Sequence, residues 1–446
     1  MSSDPRVWGR VKQRLASIPD VFVPRIFEVL RRICPEALSH GFIVAYMLRG
    51  TSITLTGQLP GVNRHTIRAI GQARCRLELR ELELKAFFEN HLSDDQIAQV
   101  VSKLPVLEVL DLSGTVNGGS KTAEALAKHC PSLVKLNFNC GTASPISIAH
   151  VLLSCKKLAV LKTDGTVMKL LAATEEQRYF PNLVNLNVRQ TSLTNQTVNQ
   201  LIAKFPNLRR LNLSFTGICN SIFVPSVTTS KLEKLSLTST AISSPQLVRV
   251  LSLLPDLKTL AIGAIGGGPI MGASMFSTSL GFLDDHLRQV TDVLDKCAML
   301  ENVSLVGNAK LGTVRRVDRA LAYFVKKVGR RCKKLNLAGI PALRSSDLEG
   351  LLQEKEDEPV SPLQVLTLNN TGVDDGIAPF VSSCPALQTL EVAGTRLSDE
   401  GLFSIIDACT QLQVLNLTSA RGIDIGDRRR FFEVWEERNK TKQVRL

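Results

Sequence analysis

The residues of this chain that could do chemistry most directly are its ten cysteines and six histidines. Zinc sites and thiol redox centres usually bring two cysteines together at a CxxC spacing, and no two cysteines of this chain are that close. The histidines are scattered, and no GxSxG motif, HExxH motif or pair of carboxylates accompanies them. We therefore expect a non-enzymatic protein with no catalytic residues, no cofactor and no metal site.

The cysteines instead mark one position of a repeated pattern. Five of them come shortly before a leucine-rich stretch, where a small buried side chain would fit: Cys130, Cys155, Cys297, Cys384 and Cys409. This placement predicts structural thiols rather than reactive or disulfide-bonded ones.

A glycine-rich run at 263–269 is the stretch that most suggests a phosphate-binding loop. It lacks both the GxGxxG frame and the GK[ST] ending with which backbone N–H groups and a lysine cradle phosphates. It also falls where the spacing of the leucine pattern widens. We therefore predict an insertion at about 263–285 rather than a nucleotide site.

The pattern LxxLxLxxT organises most of the chain and is clearest at 208–216. About thirteen copies run from Leu79 to Leu412, mostly about 25 residues apart, which is the spacing of leucine-rich repeats. Alternating leucines predict a short strand with its leucines inward, and stretches such as 93–101 have the spacing of a helix. Stacked copies bury the leucines between a sheet and a row of helices. We predict an α/β leucine-rich-repeat solenoid, a curved parallel sheet with outer helices, closed by helical N- and C-terminal caps.

The residues between the inward leucines should point out of the sheet. From the third repeat onward these positions are polar and mostly basic, and the concave face of such solenoids is where partners bind. The predicted partner-binding residues are Lys135, Asn137, Lys162, Asn187, Arg189, Arg210, Asn212 and Lys234. The asparagines have an alternative role, since they could satisfy only local hydrogen bonds.

The phrase TRLSDEGL at 395–402, followed by ACTQLQVLNL at 408–417, resembles the cysteine-containing repeats of F-box proteins. A second resemblance lies at 18–30, which is similar to the start of an F-box of the form LPxxφφxxIFxxL. The matching residues are Ile18, Pro19, Ile26, Phe27 and Leu30. In that family they dock a helix onto the Skp1 adaptor of a ubiquitin ligase, so the resemblance implies a Skp1-like adaptor and a second, unknown target protein as partners. The alternative is a helical cap that only covers the first repeat.

The net charge of +13 is concentrated in blocks. Residues 1–80 carry 13 Lys/Arg against 5 Asp/Glu, and residues 315–334 carry 9 against 1. Such blocks suit acidic protein, nucleic acid or simply solvent. Because the repeats also resemble those of Rad7-type DNA-repair proteins, a nuclear protein that contacts nucleic acid or chromatin is the alternative function, and a plain interaction scaffold is a third.

Three segments follow from these patterns. Residues 1–76 are predicted to be a basic helical N-terminal cap, 77–422 the repeats, and 423–446 a C-terminal capping helix with a basic tail. No apolar run reaches the roughly 18 residues of a membrane span, and the first residues lack the apolar core of a signal peptide. We expect a cytoplasmic or nuclear protein without membrane partners, monomeric outside its complex.

Overall fold

The computed structural model describes residues 11, 13–87, 92–115, 117–138, 142–163, 179–190, 193–219, 231–266, 281–314, 318–353 and 359–419, and residues 422, 426, 429, 433 and 435–437. The chain divides into two compact units. The first comprises Met1–Val188 with Gln200–Leu208, and the second comprises Arg189–Asn199 with Arg209–Leu446.

The first unit carries six of the fourteen described strands, parallel and in sequence order. They are β1 (Ser52–Thr56), β2 (Glu81–Lys85), β3 (Val109–Asp111), β4 (Lys135–Asn137), β5 (Val160–Lys162) and β6 (Asn185–Asn187). Its helices are α1 (Val23–Ile33), α2 (Arg64–Ile70), α3 (Asp94–Val101), α4 (Ser120–His129) and α5 (Pro145–Ser154). Between α1 and β1 the segment His40–Phe42 continues as a π-helix, Ile43–Met47.

Helix α6 (Asn195–Lys204) has residues in both units. The second unit carries the remaining strands, again parallel and in sequence order. They are β7 (Arg210–Asn212), β8 (Lys234–Ser236), β9 (Thr259–Ala261), β10 (Asn302–Ser304), β11 (Lys334–Asn336), β12 (Val365–Thr367), β13 (Thr389–Glu391) and β14 (Val414–Asn416). Its helices are α7 (Ser244–Ser252), α8 (Asp284–Asp295), α9 (Ala320–Lys327), α10 (Ala378–Ser382) and α11 (Asp399–Ala408), with a 3₁₀-helix at Ser345–Leu351.

The leucine pattern explains the core of each unit. In β3, for example, Leu110 is fully buried between half-buried neighbours, and the same alternation recurs in most of the strands. Helices begin where the sequence offers a cap: Ser93 Oγ accepts the N–H of Gln96 at 3.3 Å, and Gln96 Oε1 accepts the N–H of Ser93 at 3.0 Å. The predicted leucine-rich-repeat solenoid is confirmed as the fold class.

The sheet begins earlier than the leucine pattern indicated. Strand β1 lies inside the segment 1–76 predicted to be helical, and it pairs with β2 from Ser52↔Glu81 to Thr56↔Lys85. Its inward residues Ile53 and Leu55 are buried. The pattern misses this copy because Gly50, with a positive φ of 86°, stands where the next repeat has Leu79.

Two predicted features fall largely outside the described residues. Residues 267–280 of the predicted insertion are among them, and so is most of the predicted C-terminal cap. Within that cap Trp435 is buried.

Candidate functional site

An apolar groove lies on the N-terminal helices of the first unit. Helix α1 starts at Val23, so Pro24 falls in its first turn, where a missing N–H costs nothing. A 3₁₀-turn, Asp20–Phe22, leads into the helix. The F-box-like sequence therefore does form a helix, and its two prolines lie before it and in its first turn.

Helix α1 has two apolar stripes. Val23 and Phe27 face the core, and the helix packs against β1 and the π-helix. A second stripe at helical spacing faces outward: Phe22 is 53% exposed, Val29 48% and Ile33 76%. The inward stripe covers the start of the repeats, and the outward stripe leaves apolar surface open to solvent.

Phe22 and Val29 of the outward stripe line a groove with a volume of about 520 Å³. The groove is apolar apart from one arginine and is lined by Ile18, Pro19, Phe22, Arg25, Ile26, Val29 and Leu30. Four of the five predicted adaptor-binding residues are among them. The fifth, Phe27, is only 7% exposed and does not line the groove, because a helix turns about 100° between neighbouring residues. Its burial is what the alternative role of this segment, a helical cap over the first repeat, predicts for Phe27.

Arg49 holds in place the segment that carries Ile18, another residue of the groove. Its guanidinium donates to the backbone carbonyls of Leu15 at 2.8 Å and Ala16 at 3.1 Å, and its Nε lies 3.5 Å from Asp20 Oδ1. These contacts bracket Ile18 on both sides along the chain. The groove is thus held by hydrogen bonds from the segment before β1.

Charges surround the outward stripe. Glu28 forms ion pairs with Arg31 at 2.7 Å and Arg32 at 2.9 Å. The hydrogen bond from Arg31 is the largest cause of a lowered Glu28 pKa, to which Arg32 also contributes. Since Glu28 is engaged by its own helix, Arg25 is the charged side chain that the groove presents directly.

The predicted strand-face residues of the first unit lie on the outward side of their strands. Lys135 is exposed, while Asn137, Lys162 and Asn187 are half-buried. Asn137 donates to Asp111 Oδ1 at 2.9 Å, so its amide is engaged locally.

On the strands before the predicted basic positions, this face is acidic. Glu81, Glu83 and Asp111 occupy the outward positions of β2 and β3. Lys85 lies 2.8 Å from Glu83 and 3.5 Å from Asp111. Burial disfavours the charged form of Lys85, but the two carboxylates outweigh it and raise its pKa. The face of the first unit is therefore acidic on β2 and β3 and basic only from β4.

In the second unit Arg189, Arg210 and Lys234 are exposed. The guanidinium carbon of Arg189 lies 4.5 Å from the centre of the Phe215 ring, a cation–π contact. Asn212 is half-buried, and its Oδ1 accepts the N–H of Ser214 at 3.0 Å. This bond supports the alternative role of the asparagines, in which they shape the turn after the strand.

The basic block at 315–334 is mostly engaged within the chain. Arg319 forms a bidentate pair with the buried Asp347, at 2.5 and 2.7 Å. Arg331 donates to the last backbone carbonyls of α8, and Lys333 forms an ion pair on the surface. Arg319, Arg331 and Lys333 are thus engaged within the chain, and positions 315–317 lie outside the described residues.

Comparisons with known proteins agree with the repeat architecture. The family model described as a leucine-rich repeat matches residues 383–405, which contain β13 and most of α11. The chain therefore has a leucine-rich-repeat fold. No curated protein matches its sequence.

One solved structure has a TM-score above 0.5 to this chain, and two others match with lower scores. A chain of the yeast Rad7–Elc1 complex matches with a TM-score of 0.53 and 15% identity, over 89% of each chain. An internalin from Listeria monocytogenes matches with a TM-score of 0.40 and 16% identity, over 80% of this chain and 94% of that one. A leucine-rich-repeat protein from Leptospira interrogans matches with 0.39 and 14%, over 91% and 98%. At these identities the likeness concerns the fold alone.

In the described part of the chain, no group of three or more His, Cys, Asp or Glu side chains is placed to hold a metal ion. None of its helices combines the length and the apolar character needed to cross a bilayer.

Proposed function

We propose that this protein is a non-enzymatic recognition scaffold that binds an adaptor protein in its N-terminal groove and a target protein on the strand faces of its repeats. The proposed complex is a ubiquitin ligase of the SCF type, with a Skp1-like adaptor. In this proposal the protein acts in the cytoplasm, the nucleus or both. The observation that carries it is the groove itself, since Ile18, Pro19, Ile26 and Leu30 of the F-box-like sequence line it together.

The chemistry of the groove favours a protein partner. Contiguous exposed apolar surface marks interaction sites, and aromatic anchors carry much of their binding energy. Phe22 is such an anchor, and Val29 and Ile33 extend the patch along α1. A chain of similar fold occurs in the Rad7–Elc1 complex, so a repeat protein of this architecture can work with a second protein.

In this proposal different residues of α1 serve the two roles considered for the helix. Phe27 covers the first repeat and Ile26 faces the groove, so one helix can both cap the repeats and dock an adaptor. Replacing Ile26 with Asp places a charge in the groove without opening a core cavity. Replacing Phe27 with Ala should cost about 3–5 kcal/mol of stability because it removes a buried ring.

The test is co-purification of the full-length tagged protein with Skp1 and with elongin as candidate adaptors. Ile26→Asp should abolish adaptor recovery and leave the melting temperature nearly unchanged. Ile146→Asp is the matched control, because Ile146 is 71% exposed on α5, away from the groove; it should keep the adaptor. Recovery of the adaptor by Ile26→Asp, or of neither adaptor by the unmodified protein, would contradict the ligase role.

Contact with nucleic acid, the alternative function, has weaker support. In the block at 315–334, Arg319 forms an ion pair with the buried Asp347, and Arg331 donates to a backbone carbonyl at the end of α8. Cations that remain open lie on the strand faces, and their partner chemistry is tested separately below.

A further inference from the structure

The strand face of the second unit carries two rows of side chains that the register sets in line. One row holds the first residue of each strand and the other the third. The first row reads Arg210, Lys234, Thr259, Asn302, Lys334, Val365, Thr389 and Val414. Neighbouring members are about 4.8 Å apart, the spacing of paired strands.

The cations of this row are open to solvent and have no carboxylate partner in the described part of the chain. Arg210, Lys234 and Lys334 are exposed. Among the residues that the structure describes, no carboxylate forms an ion pair with any of the three.

The row one residue earlier in each repeat behaves in the opposite way. Its charges alternate in sign: Arg209, Glu233, Lys258, Glu301 and Lys333. They pair with one another, with Arg209–Glu233 at 3.0 Å, Lys258–Glu233 at 3.6 Å and Lys333–Glu301 at 2.7 Å. The earlier row therefore contains its own counter-charges, whereas the row on the strand face contains cations and no carboxylate.

Between the open cations lie side chains that bind amides. Asn302 Nδ2 donates to Thr259 Oγ1 at 3.1 Å, and an amide side chain can bind both the N–H and the C=O of a peptide. Of the described outward positions of β7–β14, none is aromatic. Single-stranded nucleic acid is usually held by bases stacked on aromatic rings, and this face has no such platform.

The far end of the face has a different character. Val365 and Val414 occupy the first row on β12 and β14, and Glu391 occupies the second row on β13, where it accepts a hydrogen bond from Asn369 at 2.8 Å. A partner matched to the whole face is acidic over β7–β11 and free of acidic groups beyond β12.

We infer that the strand face of the second unit binds an extended acidic segment of a protein, whose carboxylates pair with Arg210, Lys234 and Lys334. This inference rests on the proposed target-binding role of the repeats and names the chemistry of the target. Asn and Thr side chains between the cations hold the backbone of the segment. Arg189, stacked on Phe215, extends the positive surface at the β7 end.

The experiment measures binding of a fluorescein-labelled glutamate decapeptide to the full chain by fluorescence anisotropy at low salt. The double variant Arg210→Ser with Lys234→Ser should weaken binding about tenfold, since it removes two charge pairs. The matched control, Arg209→Ser with Lys258→Ser, makes the same change in net charge on the internally paired row. It should bind within about twofold of the unmodified protein.

Three results would overturn the inference. In the first, the unmodified protein binds no glutamate peptide. In the second, the two double variants lose binding equally, which indicates that net charge alone governs binding. In the third, a labelled thymidine decamer binds more tightly than the peptide and loses affinity in the Arg210/Lys234 variant, which indicates nucleic acid. Adaptor recovery, measured on the same variants, should be unchanged, so failure here is distinguishable from failure of the Ile26→Asp test.

Discussion

Burial of the cysteine thiols should make the stability of this protein fall at alkaline pH. In the first unit Cys130 Sγ lies 3.5 Å from the carbonyl oxygen of Leu104, and Cys155 Sγ lies 3.4 Å from that of Cys130. Burial, with a smaller effect of Cys155, raises the pKa of Cys130 to about 12. Burial raises the pKa of Cys155 to about 11.

The direction of the pH effect follows from which state keeps the proton. An unfolded cysteine has a pKa near ~8.5. Below that value both states hold the proton, and the thiols contribute their full stability. As the pH rises from there toward the folded pKa, only the unfolded state ionises, so the free energy of unfolding falls by about 1.4 kcal/mol per pH unit for each such thiol. Cys130 alone should cost about 2 kcal/mol between pH ~8.5 and ~10.

Urea unfolding followed by circular dichroism, from about pH 7.5 to about pH 10 with a reductant, measures this slope. Cys130→Ala should reduce the slope by about 1.4 kcal/mol per pH unit. Leu136→Ala is the control, since Leu136 is buried in β4 and has no titrating group. Both variants lose stability at neutral pH through the cavity they leave. The reasoning is refuted if Cys130→Ala retains the slope of Leu136→Ala.

Two further predictions concern the joints between repeats. Asp94 accepts three backbone N–H groups at the start of α4, at 2.9 to 3.0 Å, whereas the adjacent Asp95 forms an exposed ion pair. Asp94→Ala should therefore cost about 1–3 kcal/mol and Asp95→Ala less than about 1, and equal costs in urea unfolding would exclude the cap. Gly339 has a φ of 69° in the turn after β11, and Gly339→Ala should cost about 1–2 kcal/mol. Gly41→Ala is its control, because the added Cβ meets no atom within 4 Å beyond its chain neighbours and its own helix backbone. A melting temperature that is unchanged in both variants would contradict backbone strain at Gly339.

Sequence alone predicts the fold because the signal is repeated. Each strand contributes inward leucines, as at Leu110 and Leu211, and thirteen weak signals at a near-constant spacing become one strong one. The same reasoning fails where a single copy departs from the pattern. At β1 the first leucine is replaced by Gly50, and the strand is recognisable only from its pairing with β2.

The groove residues are harder to predict, because the exposure of a side chain depends on the side of the helix on which it lies. Spacing places Ile26, Phe27 and Leu30 on neighbouring parts of a helix, but it does not say which side meets β1. A one-residue difference separates a groove residue from a core residue. The acidic charge on β2 and β3 precedes the predicted partner-binding positions, which begin at Lys135, because Glu81 and Glu83 lie in the first, degenerate copy of the repeat.

Composition was least informative about which cations are open. The sequence does not distinguish between the cations Arg330, Arg331, Lys333 and Lys334. In the structure, however, Arg331 donates to the last backbone carbonyls of α8, and Lys333 pairs with Glu301. Lys334 is exposed on β11 and aligned with Asn302. The distinction comes from the repeat itself, because residues just before a strand lie beside their equivalents in the next repeat and can neutralise one another. On the strand face of the second unit, Arg210, Lys234 and Lys334 are aligned with residues of like or neutral character, so their charge is open to a partner. In the proposed role, the sign of the charge at these fixed positions of each repeat, rather than the net charge of +13, selects the partner of the face.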